Sequence, residues 1–122
     1  MWICTKEGFF SIVAKDCAPD ELLVRARRPQ DINAVWPKAR VEVSTRRGSD
    51  YRYRARIKRA DIIAALSERI EAYDAANFKD SVRDDDLHDA YTRVWGVMGR
   101  LQPGGPYSHG DYPEDELVGC PA

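Results

Sequence analysis

Residues 50–59, Asp-Tyr-Arg-Tyr-Arg-Ala-Arg-Ile-Lys-Arg, carry a basic side chain at every second position. Successive side chains of an extended strand point to opposite faces, so Arg52, Arg54, Arg56 and Lys58 share one face while Tyr51, Tyr53, Ala55 and Ile57 share the other. One face suits a core, the other water or a partner. The same alternation occurs in Leu22–Arg27, where Leu22, Val24 and Ala26 interleave with Leu23, Arg25 and Arg27.

Two further β-rich runs, Trp2–Thr5 and Phe9–Ala14, flank Lys6, Glu7 and Gly8, a spacing that marks a turn or a bulge. Residues 29–37 read as a short helix opened by Pro29 and closed by Pro37. Residues 40–58 read as a hairpin turning at Arg-Arg-Gly-Ser-Asp. Beyond Arg59 the period changes to that of a helix. Ile62, Leu66, Ile70 and Tyr73 form one apolar stripe, widened by Ile63, and Leu87, Tyr91, Val94, Met98 and Leu101 form another, widened by Trp95. Leu66 and Val94 are thus expected in the core. The order of elements predicts an α+β fold: a two-layer antiparallel sheet of about four strands with helices packed on one face. Residues 1–102 form a single domain in this reading, and 103–122 a Gly/Pro-rich acidic tail, mobile or extended.

The chain of 122 residues, 43% hydrophobic, suits one domain that needs no disulfides. Its three cysteines, Cys4, Cys17 and Cys120, lack paired spacing, and no apolar run reaches membrane length, so a cytoplasmic protein with buried structural thiols is expected. Net charge is −1, unevenly placed: residues 21–59 hold twelve Lys or Arg against four Asp or Glu. Such a basic stretch attracts an anionic ligand or the chain's own acids.

With apolar strand faces against the helices, Arg25, Arg27, Arg52, Arg54 and Arg56 converge on the open sheet face, with Phe9 beside them. Arginines on an open antiparallel sheet suit phosphates and bases, although the aromatic signature of the RNA-recognition module is missing. The alternative is a solvated face whose stems cover the sheet. Asn77 and Lys79 could reach a ligand at the helix ends, or Asn77 could simply cap a helix that Phe78 and Val82 anchor. Asp84, Asp85, Asp86 and Asp89 beside His88 favour helix capping over a metal site. His88 could serve as acid or base, but no nucleophile or orienting group accompanies it. No motif calls for a metal, a cofactor or a named enzymatic mechanism.

The segments Met-Trp-Ile at the start, Val-Arg-Ala-Arg, Asp-Tyr-Arg-Tyr-Arg-Ala, Asn-Phe-Lys, and His-x-x-Tyr-x-x-Val-Trp together resemble a family of short bacterial proteins that carries them in this order. The resemblance covers roughly residues 1–102. It implies a compact intracellular domain and assigns no reaction or ligand. The expectation is a non-catalytic binding module for a phosphate-bearing ligand, nucleotide or RNA, held by Arg25, Arg27, Arg52, Arg54, Arg56, Asn77, Lys79 and His88. Its alternatives are a protein-interaction module or homodimer, including a phage-type counter-defence protein, and a small enzyme using His88.

Overall fold

A computed structural model of the protein describes residues 1–104. The expected tail therefore falls, from residue 105 on, outside the described residues, as does Cys120. Five strands form one antiparallel sheet: β1 (Trp2–Cys4), β2 (Phe9–Val13), β3 (Glu21–Ala26), β4 (Glu42–Val43) and β5 (Tyr53–Lys58), in the order β1-β2-β3-β5-β4. The α+β class is as expected, with five strands where about four were predicted. The extra strand arises at Thr5–Gly8, where the Thr5 N–H donates to the Gly8 carbonyl at 2.9 Å and the Thr5 hydroxyl closes the turn. What the sequence left as turn or bulge is a complete reversal.

The chain forms two compact units, residues 1–74 and the residues from Ala75 on. In the first, α1 (Asp31–Val35) and α2 (Arg59–Ala72) share one face of the sheet. Ile32, Val35 and Trp36 from the α1 segment and Ile62 from α2 join Phe10, Ile12, Val24, Ala26, Ala55 and Ile57 in one buried cluster. Trp36 meets Phe10 edge-on at 5.3 Å between centroids, and its indole N–H donates to the Asp61 carbonyl at 3.2 Å. Both the apolar and the polar ends of this ring are thereby satisfied. Helix α2 starts at Arg59, directly after β5, and the Arg59 N–H donates to the Asp20 carbonyl at 2.8 Å.

An ion pair and a hydrogen bond from a second ion pair tie the β1–β2 turn to the helical layer. Asp31, only 2% exposed, accepts from Arg28 Nε at 2.9 Å, and Arg28 Nη2 donates to the Glu7 carbonyl at 3.2 Å. Gly8 is required here because a Cβ would lie 2.7 Å from the Asp31 side chain. Glu7 Oε1 accepts from Arg69 Nε of α2 at 3.2 Å. Burial alone would push the Glu7 carboxyl up, but the Arg69 guanidinium and the Thr5 hydroxyl outweigh it and hold the group below its ordinary value.

The second unit holds α3 (Phe78–Ser81), α4 (Asp85–Met98) and a closing 3-10 turn (Gly99–Leu101). Asp84 caps α4, its Oδ1 accepting from the Leu87 N–H at 3.1 Å, with Asp85 and Asp86 in the first turn as the capping reading expects. The predicted apolar stripes are only half used. Leu87 and Tyr91 are buried, yet Val94 is 45% exposed, and on α2 Ile62 is buried while Leu66 is half-buried and Ile70 and Tyr73 are exposed. Val94 is therefore no core residue. Cys4 is exposed and Cys17 half-buried, so burial of the thiols is not general either.

Replacing Ile32, fully buried, with Ala should cost about 2–5 kcal/mol in urea unfolding, whereas Val94→Ala should stay within about 1 kcal/mol of wild type. Because the folded-state pKa of Glu7 is lowered, its contribution is present at neutral pH and disappears as pH falls through that value. Glu7→Gln should therefore be less stable than wild type at pH 7, and the gap should close in acid.

Candidate functional site

The β2–β3–β5 register sets which side chains share the face opposite α1 and α2. Ser11 pairs with Arg25, Arg25 with Arg54, and Leu23 with Arg56, while the intervening Val24 and Ala55 point into the core. Extending the same row to the edges gives Trp2, Ser11, Arg25, Arg54 and Glu42 across all five strands. Arg25, Arg54 and Arg56 thus meet on one face as predicted.

Arg25 and Arg54 stand directly opposite each other, an arrangement in which like charges repel. Their guanidinium groups find different acceptors. Arg25 reaches to β2, donating to Ser11 Oγ at 2.6 Å, while Arg54 donates to the Tyr51 carbonyl at 3.2 Å and to Ser49 Oγ at 3.3 Å. Arg27, exposed, donates to the Asp50 carbonyl at 3.2 Å. All of these acceptors are neutral, and among the described residues none of the three arginines has a carboxylate partner. Arg56 differs: it pairs with Glu42 Oε1 at 3.0 Å and donates to the Asp16 carbonyl.

Tyr51 departs from the expected alternation. The hairpin strands are shorter than the sequence suggests, β4 spanning two residues and β5 beginning at Tyr53; the Arg52 carbonyl still accepts from the Ser44 N–H at 2.7 Å, and Tyr51 lies beyond this last pair. Ser49 Oγ donates to the Tyr51 carbonyl at 3.0 Å, and the Tyr51 ring, 4% exposed, packs against the arginines instead of the core. Its centroid is 4.3 Å from the Arg27 guanidinium carbon and 4.7 Å from that of Arg25. Such contacts fix the orientation of a guanidinium without neutralising it. Arg52 is exposed and has no side-chain partner among the described residues.

Toward β1, Arg27 also lies over Phe9 at 5.7 Å, and Phe9 meets Trp2 edge-on at 5.7 Å. Trp2 is 71% exposed. Sequence reasoning did not single it out; the signal was available, because a tight turn at residues 5–8 forces Trp2 opposite Ser11. At the other edge, a cavity of about 310 Å³ is lined by Asp16, Glu42, Ser44, Arg46, Arg54 and Arg56, with Leu23 among its walls. Of the charged groups there, Arg56 and Glu42 neutralise each other.

The other predicted residues belong to the second unit. Asn77 occupies the position before α3 but makes no side-chain cap; its Oδ1 accepts from Lys79 Nζ at 3.5 Å, and Lys79 lies 5.0 Å from the Trp95 ring centroid. Phe78 packs on Tyr91 at 5.7 Å, and Val82 is buried, so the anchoring role expected of that pair holds. His88 Nε2 lies 3.8 Å from Asp80 Oδ1, beyond hydrogen-bond reach, and both side chains are well exposed. These contacts join α3 to α4.

Among the described residues no three His, Cys, Asp or Glu side chains gather to hold a metal, and no helix is long and apolar enough to cross a membrane. Compared with protein-family models, curated proteins and solved structures, the chain matches none.

Tyr51→Leu should lower stability by about 1–2 kcal/mol in urea unfolding, the loss expected for partly desolvated cation–π contacts. Wild-type stability in this variant would mean the ring does not hold the arginines.

Proposed function

We propose that the protein is a binding module whose open sheet face holds a phosphate-bearing ligand through Arg25, Arg27 and Arg54. The observation that carries this reading is the concentration of three guanidinium groups that are oriented by neutral acceptors and a tyrosine ring, with no carboxylate partner among the described residues. A phosphate over the row would offset the repulsion between the facing arginines and accept their remaining N–H groups in pairs.

A second reading rests on a separate observation. The last turns of α4 and the 3-10 turn expose Val94, Val97, Met98 and Leu101, which are 45–74% accessible. An apolar strip of this kind suits a protein partner, including a second copy of the chain. Light scattering over a range of concentrations, with Met98→Glu as control, tests it: the mass of a single chain at every concentration removes the homodimer.

For the first reading, titration of a labelled single-stranded oligonucleotide and of cyclic nucleotides should show affinity falling steeply with salt. Arg27→Gln should weaken oligonucleotide binding and reduce the slope of log K against log salt by about 0.7, the loss of one phosphate contact. Absence of binding by every probe at low salt overturns the reading.

A further inference from the structure

The edge of the arginine face is aromatic, and that composition narrows the ligand. Trp2 shares a row with Ser11, Arg25 and Arg54, three strand spacings, or about 14 Å, separating Trp2 from Arg54. The start of the chain is held rigidly. The Met1 amino group donates to the Ile12 carbonyl at 2.8 Å, and the Met1 carbonyl accepts from the Ile12 N–H at 2.8 Å.

An isolated exposed hydrophobic residue is ordinary and calls for no explanation. Trp2 is distinguished by what surrounds it. Its edge-to-face contact with Phe9 takes up at most one face of the indole, so a flat surface stays open to solvent on the side of the sheet where the guanidinium groups stand. Arg25 leans toward it, across Ser11, and Arg27 lies over Phe9. At the opposite edge Glu42 and Asp16 line the cavity, where Glu42 is paired with Arg56. Arg25 and Arg27, the guanidinium groups on the Trp2 side, have no carboxylate partner among the described residues.

Resting on the phosphate-binding reading above, we propose that Trp2 is a stacking platform for a base and that the ligand is single-stranded nucleic acid. A base stacked on the indole leaves its own sugar-phosphate chain free to continue over Arg25 and Arg54. A ligand touching both ends of a span of about 14 Å has more than one nucleotide. A duplex hides its base faces in its own stack and cannot make this contact; an unpaired strand can.

The test uses the full chain and three labelled probes of equal length: a single-stranded oligonucleotide, an abasic strand with the same number of phosphates, and a duplex. The single strand should bind about 5- to 150-fold more tightly than the abasic strand, the range expected for one base on one aromatic ring. Trp2→Ala should remove most of that ratio, and Trp2→Phe should keep part of it. Equal affinity for the abasic and intact strands, or a duplex that binds best, overturns the stacking platform and leaves phosphate binding standing. No binding of any probe at low salt overturns both. The comparison of probes on the wild-type protein decides the matter even if a Trp2 variant folds poorly.

Discussion

The antiparallel pairing of β3 with β5 is the contact on which the rest of the first unit depends. Six residue pairs run from Glu21–Lys58 to Ala26–Tyr53, and they fix the parity of both strands at once. Leu22, Val24 and Ala26 then face the same side as Tyr53, Ala55 and Ile57, where α1 and α2 close the core. A slip of one residue in either strand would turn that strand's arginines into the core and its apolar residues out to water. Burying even one guanidinium without a partner costs several kcal/mol, comparable with the whole stability of a small domain. The alternation therefore specifies one register and excludes its neighbours.

The same parity creates the electrostatic problem of the open face. Once Arg25 and Arg54 are opposite each other, nothing in the ladder can separate their Cα atoms, and relief has to come from the side chains. Arg25 turns to Ser11 and Arg54 to the loop before β5. Arg56 takes the different course of a carboxylate, Glu42. The Tyr51 ring fills the space near Arg25 and Arg27, which explains why a tyrosine outside the ladder is 4% exposed.

The period-two pattern of Leu22–Arg27 and Arg54–Lys58 made the sheet, its core face and its arginine face legible, because strand parity depends only on counting. The turn at Thr5–Gly8 was half legible: Gly8 pointed to a break, but its closeness to Asp31, the reason for the glycine, depends on a residue 23 positions away. Tyr51 escapes the alternation because parity holds only as far as the strand, and strand ends are set by loop hydrogen bonds such as that of Ser49 to the Tyr51 carbonyl. The helical stripes overstated burial for a related reason. Periodicity in α4 identifies the face that Leu87 and Tyr91 bury, but how far along the helix a covering surface extends is not written in the spacing, and Val94 onward lies beyond it. Asn77, Lys79 and His88 were grouped with the arginines only by chemistry, and their contacts in the structure lie within the α3–α4 segment.

A solvated arginine face and a ligand-binding one need not be competing accounts, because stem and head of an arginine do separate things. Leu23 lies on the face opposite α1 and α2 and is only 3% exposed, opposite Arg56 and lining the same cavity as Arg54. The stems thus shelter apolar sheet that has no helix of the first unit above it. That role is served by any long side chain and does not require a charge. Lysine would cover Leu23 as well, and glutamine or methionine would do so without setting like charges opposite each other. What covering leaves unexplained is the choice of guanidinium at positions 25, 27 and 54 and its orientation by neutral partners that leave the charge intact. A planar donor whose charge is left unpaired is suited to a planar or phosphate-bearing ligand. The heads, not the stems, are the part of the face that folding alone does not account for.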